Sequence, residues 1–328
     1  MARIDLRMRL VGAALGRMSI ASQPDEKIVA AQKRSIPHNP ILDLLLGGIA
    51  EGVTVSGDTA AGGAGRIPIR IYRPSDTTEM LPLVVFMHGG GWATGSLDVY
   101  DWLGSNLAKH ARAVVVSLDY RLAPTHRWPA AADDCYAAFL DVVARSATWN
   151  ADGTRVAVAG DSAGGNLAAV VTLMARDRSG PPIAFQALIY PATDLTLGSA
   201  SIEENAHAPI LTKRDISAFR DLYTTPENRS DPYASPLLAP DHTHLPPALI
   251  QVAEHDPIRD DGLRYADALR SAGIPVRTTT YVGMPHGFLA FPRISRAAPQ
   301  ALEELAAAIR EAFQPFRAAH GIGSGGER

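Results

Sequence analysis

Arg155-Val-Ala-Val-Ala-Gly-Asp-Ser-Ala-Gly-Gly165 is the stretch on which the fold class of this chain turns. Its apolar start, Arg155 to Ala159, suits a buried strand, and the residues from Asn166 to Arg176, rich in Ala, Leu and Val, suit a helix. Ser162 therefore falls on a strand-to-helix turn. Gly160 and Gly164 flank it where a side chain would clash if the backbone bent sharply enough to lift the hydroxyl clear of a sheet. This is the G-x-S-x-G pattern of a nucleophile elbow. Alone, a pentapeptide of common small residues is equally an ordinary glycine turn; the strand-turn-helix setting gives it weight.

A serine that attacks an ester carbonyl gathers negative charge on the oxygen, and preorganised N–H groups hold such charge well. Upstream, Leu83-Val-Val-Phe-Met87 reads as a buried strand, and His88-Gly89-Gly90-Gly91-Trp92 begins the loop after it. Bare glycine backbone there could approach a substrate oxygen. A serine of ordinary acidity also needs a base, and the base needs an orienting carboxylate. Pro246 to Val252 looks like a short strand, followed by Glu254-His255-Asp256-Pro257. The proline pushes Asp256 into an extended conformation, so the carboxylate leaves the strand end. Val276 to Tyr281 is a β-branched run, and His286 follows it in Gly283-Met-Pro-His-Gly-Phe288. The order is Ser, Asp, His, each in a loop after a strand, which is where ligands meet an open α/β sheet.

Rival residues read as structural. Of ten histidines, His286 is the one in a loop downstream of the candidate acid; His88 is expected to brace the glycine loop, and His255 to be structural. Glu254, Asp260 and Asp261 compete with Asp256, but Asp260 and Asp261 fit the start of the next helix, where carboxylates complement its dipole. Asp161 is expected to stabilise the elbow through its own hydrogen bonds, and Cys135 to be a small buried residue.

The chain resembles the bacterial hormone-sensitive-lipase-like esterases, family IV, of the α/β-hydrolase superfamily. Asp119-Tyr-Arg-Leu-Ala-Pro124, Trp128-Pro-Ala-Ala131, Asp231-Pro-Tyr-Ala-Ser-Pro236 and Asp256-Pro-Ile-Arg-Asp260 carry the resemblance beside the motifs above. It implies that Ser162 is the nucleophile, His286 the base and Asp256 its orienter, with oxyanion N–H groups from Gly90, Gly91 and Ala163. It further implies a helical cap, built from about residues 1–45 and an insert within 191–247, over a pocket suited to short and medium acyl chains. Trp92, Phe219, Leu222, Tyr223 and Phe288 are the expected apolar walls. The expected activity is carboxylic ester hydrolysis through an acyl-enzyme. Amide or carbamate hydrolysis uses the same triad, and a non-catalytic receptor of this fold, as in plant gibberellin receptors, is the alternative of another class. The presence of His286 argues against the receptor.

Composition agrees. A chain of 328 residues, 46% hydrophobic and 20% charged, can bury a sizeable core, and one domain is expected. A net charge of −3 gives no electrostatic case for nucleic acid. One cysteine excludes an intramolecular disulfide and suits the cytoplasm. No zinc spacing or phosphate-binding glycine loop is present, so no cofactor and no metal are expected. Arg3, Arg7 and Arg9 before Leu10-Val-Gly-Ala-Ala-Leu15 superficially suggest a signal peptide, but Arg17 interrupts an apolar stretch too short to span a membrane. Whether the chain forms a homodimer is left open.

Eight strands are predicted, near Gly52–Ser56, Arg66–Tyr72, Leu83–Met87, Ala113–Leu118, Arg155–Ala159, Phe185–Tyr190, Ala248–Val252 and Val276–Tyr281. Helical periodicity separates most of them, which predicts a mostly parallel sheet covered on both faces. In the insert, Thr212-Lys-Arg-Asp215 resembles a helix start. The tail Gly321 to Arg328 is expected to be disordered.

Overall fold

In the computed structural model, residues 2–16, 19–34 and 47–314 are described. The tail at Gly321–Arg328 and residues 35–45 of the expected cap segment lie outside them. All eight predicted strands are present: β1 (Val53–Gly62), β2 (Gly65–Pro74), β3 (Leu81–Met87), β4 (Val114–Leu118), β5 (Ala151–Asp161), β6 (Phe185–Ile189), β7 (Ala248–His255) and β8 (Val276–Pro285). They form one sheet in the order β1-β2-β4-β3-β5-β6-β7-β8. Among the described residues, only the β1/β2 and β2/β4 pairs are antiparallel.

The central strands are continuous apolar runs because both faces are covered. Every residue of β3, β4 and β6 is buried. Alternate residues of β3 enter different cores: Leu83, Val85 and Met87 join one, Val84 and Phe86 the other. On the first face pack α4 (Ala130–Ala144), α5 (Ala163–Asp177) and α8 (Arg259–Ser271), and on the second α3 (Asp101–Ala111) and α9 (Ala297–Ala312). Several strands run longer than their hydrophobicity indicates: β5 starts early, with Ala151 and Asp152 paired to Leu81 and Pro82 of β3, and β7 runs on to His255. β1 continues through polar residues to Gly62 because it pairs residue for residue with β2 across a hairpin, and β8 continues to Pro285 beside β7. Backbone pairing, not side-chain pattern, extends them.

From β3 the chain crosses to β4 on one side and then to β5 on the other. That reversal of direction opens a crevice at the carboxyl ends of β3 and β5. The glycine loop after Met87 and the turn at Ser162 both sit there. The remaining α-helices are α1 (Leu6–Leu15), α2 (Asp25–Gln32) and, in the insert between β6 and β7, α6 (Ser201–Glu204) and α7 (Lys213–Tyr223); Ile216 and Phe219 of α7 reach the cavity at Ser162, and Gln32 of α2 donates to the Ala93 carbonyl at 2.8 Å. The predicted helix start at Thr212 is a capping box, in which Thr212 accepts from the Asp215 N–H and Asp215 from the Thr212 N–H. The N-terminal segment touches this helix: Ser19 Oγ donates to Asp215 and the Arg214 guanidinium donates to the Ala21 carbonyl at 3.3 Å. No helix among the described residues is long and apolar enough to cross a membrane.

Candidate active site

Ser162 adopts φ 55° and ψ −119°, an uncommon conformation for a residue with a side chain, immediately before α5. Its turn is held by close approach of backbones. A Cβ on Gly164 would overlap the Met87 carbonyl oxygen and lie 2.5 Å from that of His88, and one on Gly160 would overlap the Gly164 carbonyl. The elbow is thus pressed against the end of β3, which puts Ser162 beside the glycine loop. The Ser162 N–H donates to the Ile189 carbonyl at 2.8 Å and ties the turn to β6 as well.

His286 and Asp256, from the ends of β8 and β7, meet Ser162 in a chain of hydrogen bonds. His286 Nε2 lies 2.8 Å from Ser162 Oγ, and His286 Nδ1 lies 2.7 Å from Asp256 Oδ2. The other carboxylate oxygen of Asp256 accepts the Ile258 N–H at 2.9 Å, and the residue is fully buried. With Asp256 accepting from Nδ1–H, the bare Nε2 faces the serine hydroxyl. Tyr190 packs against the imidazole, ring centroids 4.7 Å apart.

The rival acids are occupied elsewhere. Glu254 accepts from the Ala2 and Gly283 N–H groups, Asp260 from the Ser201 N–H, and Asp261 from Ser199 Oγ and the Asp194 N–H. His255 lies 2.8 Å from the Ala2 carbonyl. Cys135 is buried in α4.

Gly90 and Gly91 line the cavity at Ser162, and among the described residues neither N–H donates to a protein acceptor. Ala163 opens α5, where no carbonyl of the same helix can take its N–H. Gly91 has φ 59° and a Cβ there would overlap the Phe219 ring. His88 is fully buried, its Nδ1 2.7 Å from the Gly89 carbonyl and its ring stacked on Tyr120 at 4.4 Å, and burial lowers its pKa to about 4. It is a neutral brace. Asp161 accepts the Gly89 N–H at 2.8 Å and the Tyr100 hydroxyl at 3.0 Å, while burial raises its carboxyl to about 6. Its bonds therefore clamp the glycine loop to the elbow, a link that local sequence does not reveal.

The cavity over Ser162 measures about 240 Å³ and includes Trp92, Tyr100, Ile210, Leu211, Ile216, Phe219 and Phe291 in its wall. Of the five expected wall residues, Trp92 and Phe219 border it. Leu222, Tyr223 and Phe288 do not, and the expectation is corrected for these three. Tyr223 lies behind the wall, stacked on Trp92 with ring centroids 4.6 Å apart. Leu222 packs against the core beneath α7. Phe288 is buried on the other core, edge-on to Tyr190 at 5.7 Å. The missed Ile216 stands three residues before Phe219, on the same face of α7, so helical spacing could have found it. Ile210 and Leu211 come from an irregular turn and carry no such signal.

A family model described as alpha/beta hydrolase fold matches residues 84–290. Carboxylesterase NlhH of Mycobacterium tuberculosis is 46% identical over 251 residues, covering 75% of this chain and 79% of that protein. An ethyl acetate hydrolase of Pseudomonas putida is 35% identical over 249 residues, covering 75% and 78% respectively. Among solved structures, a hyperthermophilic esterase from Pyrobaculum calidifontis superposes with a TM-score of 0.82 at 36% identity, covering 94% of this chain and 99% of that one.

Proposed function

The chain belongs to the hormone-sensitive-lipase-like family IV of the α/β-hydrolase fold and is a carboxylic ester hydrolase, and on that premise we propose that it cleaves short- to medium-chain esters through an acyl-enzyme on Ser162. The hydrogen-bond chain Ser162–His286–Asp256, beside the Gly90 and Gly91 N–H groups, carries this reading. His286 Nε2 takes the Ser162 proton as Oγ attacks the carbonyl carbon. Charge on the carbonyl oxygen is held by the Gly90, Gly91 and Ala163 N–H groups. The imidazolium, stabilised by Asp256, then protonates the departing alcohol, and water repeats the sequence to release the acid.

The N-terminal segment and the insert act together as a cap on a single hydrolase domain. A cavity of about 240 Å³ under that cap favours acyl chains of roughly four to eight carbons, since each methylene stabilises binding by about 0.8 kcal/mol only while it can be buried. The similarity to an ethyl acetate hydrolase points the same way. Covered in this manner, the site needs no interfacial activation. One free, buried cysteine suits a cytoplasmic setting.

The test is turnover of p-nitrophenyl esters from two to sixteen carbons and of matched aryl amides, with Ser162→Ala as control. Ester turnover lost in that variant, with a maximum at short to medium chains, is expected. Efficiency still climbing at sixteen carbons, or jumping when substrate forms micelles, would refute the chain-length reading; faster amide than ester cleavage would refute the ester preference.

A further inference from the structure

A second and larger cavity, about 960 Å³, lies between α1 and the insert, lined by Gly12, Ala13, Pro209, Thr212 and Asp215 among others. Among the described residues it meets the Ser162 cavity at one. Ile210 borders both, while its neighbours divide: Pro209 faces the larger cavity and Leu211 the smaller.

The backbone at this partition is unusual. The Leu211 N–H donates to the Pro209 carbonyl at 2.9 Å, closing a three-residue turn with Ile210 at its centre and φ 73°. Such a turn with positive φ is rare and strained, and a β-branched residue is poorly suited to it. Strain of this sort persists only where the surroundings impose it. Here α1 supplies part of the constraint from behind. Gly12 is so near the turn that a Cβ on it would overlap the Pro209 side chain and lie 2.9 Å from Pro209 Cα and 3.1 Å from the Ile210 nitrogen. On the catalytic side, the Ile210 side chain reaches to 3.6 Å from where a Cβ on Gly287 would stand, next to His286.

We propose that Ile210 is a specificity-determining residue: a strained partition, backed by α1, that ends the Ser162 cavity and keeps acyl chains out of the larger cavity beyond. This rests on the short- to medium-chain reading above and names the residue that sets the limit. Removing its side chain joins the two cavities and lets longer chains pass.

The experiment compares Ile210→Gly, Ile210→Ala and Ile210→Val with the wild type on p-nitrophenyl esters of four and twelve carbons. Glycine also relieves the positive φ, and alanine provides a second truncation should glycine loosen the turn. Each newly buried methylene is worth about fourfold in binding. The twelve-to-four ratio of kcat/KM should thus rise about tenfold or more in Ile210→Gly, less in Ile210→Ala, and stay within about twofold in Ile210→Val. The rise should come through KM for the long ester. A merely structural role would lower kcat for both esters alike and leave the ratio in place. An unchanged ratio in folded Gly and Ala variants, with the wild-type decline at long chains intact, overturns the partition alone. A wild type that shows no such decline overturns the chain-length reading and the partition together.

Discussion

Replacing Asp256 by asparagine exchanges one carboxylate oxygen for an NH₂ group and disturbs two hydrogen bonds at once. The carboxylate makes two contacts: Oδ2 with His286 Nδ1 at 2.7 Å and Oδ1 with the Ile258 N–H at 2.9 Å. Both face N–H donors, and the residue is fully buried, so no solvent is at hand to substitute. An amide has one acceptor for the two. If its oxygen keeps Ile258, the NH₂ faces Nδ1, which must then accept, and the imidazole carries its proton on Nε2, pointed at the serine it should deprotonate. If the amide flips, the tautomer is restored but the NH₂ opposes the Ile258 N–H, and unsatisfied buried donors cost about 1–3 kcal/mol. Either way the negative charge that stabilises the imidazolium is gone. At about 4 Å and an effective dielectric of about 20, that attraction is about 4 kcal/mol, or roughly a thousandfold. The flip adds roughly another tenfold, for a total of about ten-thousand-fold in kcat/KM, the scale that other triads show. The assay is kcat/KM on p-nitrophenyl butyrate, with circular dichroism and thermal denaturation to establish folding. A folded Asp256→Asn protein with near-normal turnover would refute the reasoning and return the acid role to Glu254, Asp260 or Asp261.

Asp161, raised to about 6, gains a proton as pH falls through that value, so its clamp on the Gly89 N–H weakens. Below about pH 6, log kcat/KM should fall more steeply in the wild type than in Asp161→Asn; identical limbs between about pH 4.5 and 8 would count against the clamp. Gly164→Ala should cost at least about 1–3 kcal/mol, because the new methyl meets the Met87 and His88 carbonyls and backbone must move, and an unchanged urea midpoint would contradict that packing. Burial raises the Asp261 carboxyl from its ordinary 3.8 to about 8, so the folded state binds the extra proton between those values. Its contribution to stability is full below about pH 4 and lost by about pH 8; Asp261→Asn should therefore compare better with the wild type at pH 8.5 than at pH 5 by thermal denaturation, and an equal difference at both would refute it.

What could be read from the sequence was what neighbouring residues impose on one another. The strand, the two glycines and the helix around Ser162 state a backbone bend between residues 155 and 176, and β3 with its glycine loop does the same. Apolar runs placed all eight strands, although β1, β5 and β8 were read short because their ends are held by pairing with β2, β3 and β7. The family resemblance extended that reading to a cap and an ester chemistry. Only the folded chain decided which surfaces face each other across it. Tyr223 and Phe288 were as apolar as Phe219 in sequence, yet one stacks behind Trp92 and the other enters the opposite core. Asp161 clamps a loop seventy-two positions away, and Gly12 backs a turn in the insert through contact between segments nearly two hundred residues apart. Local motifs are legible because φ, ψ and hydrogen bonding act between near neighbours, whereas a cavity wall is the outcome of packing among distant segments, where one turn of helix decides whether a side chain meets the substrate or the core.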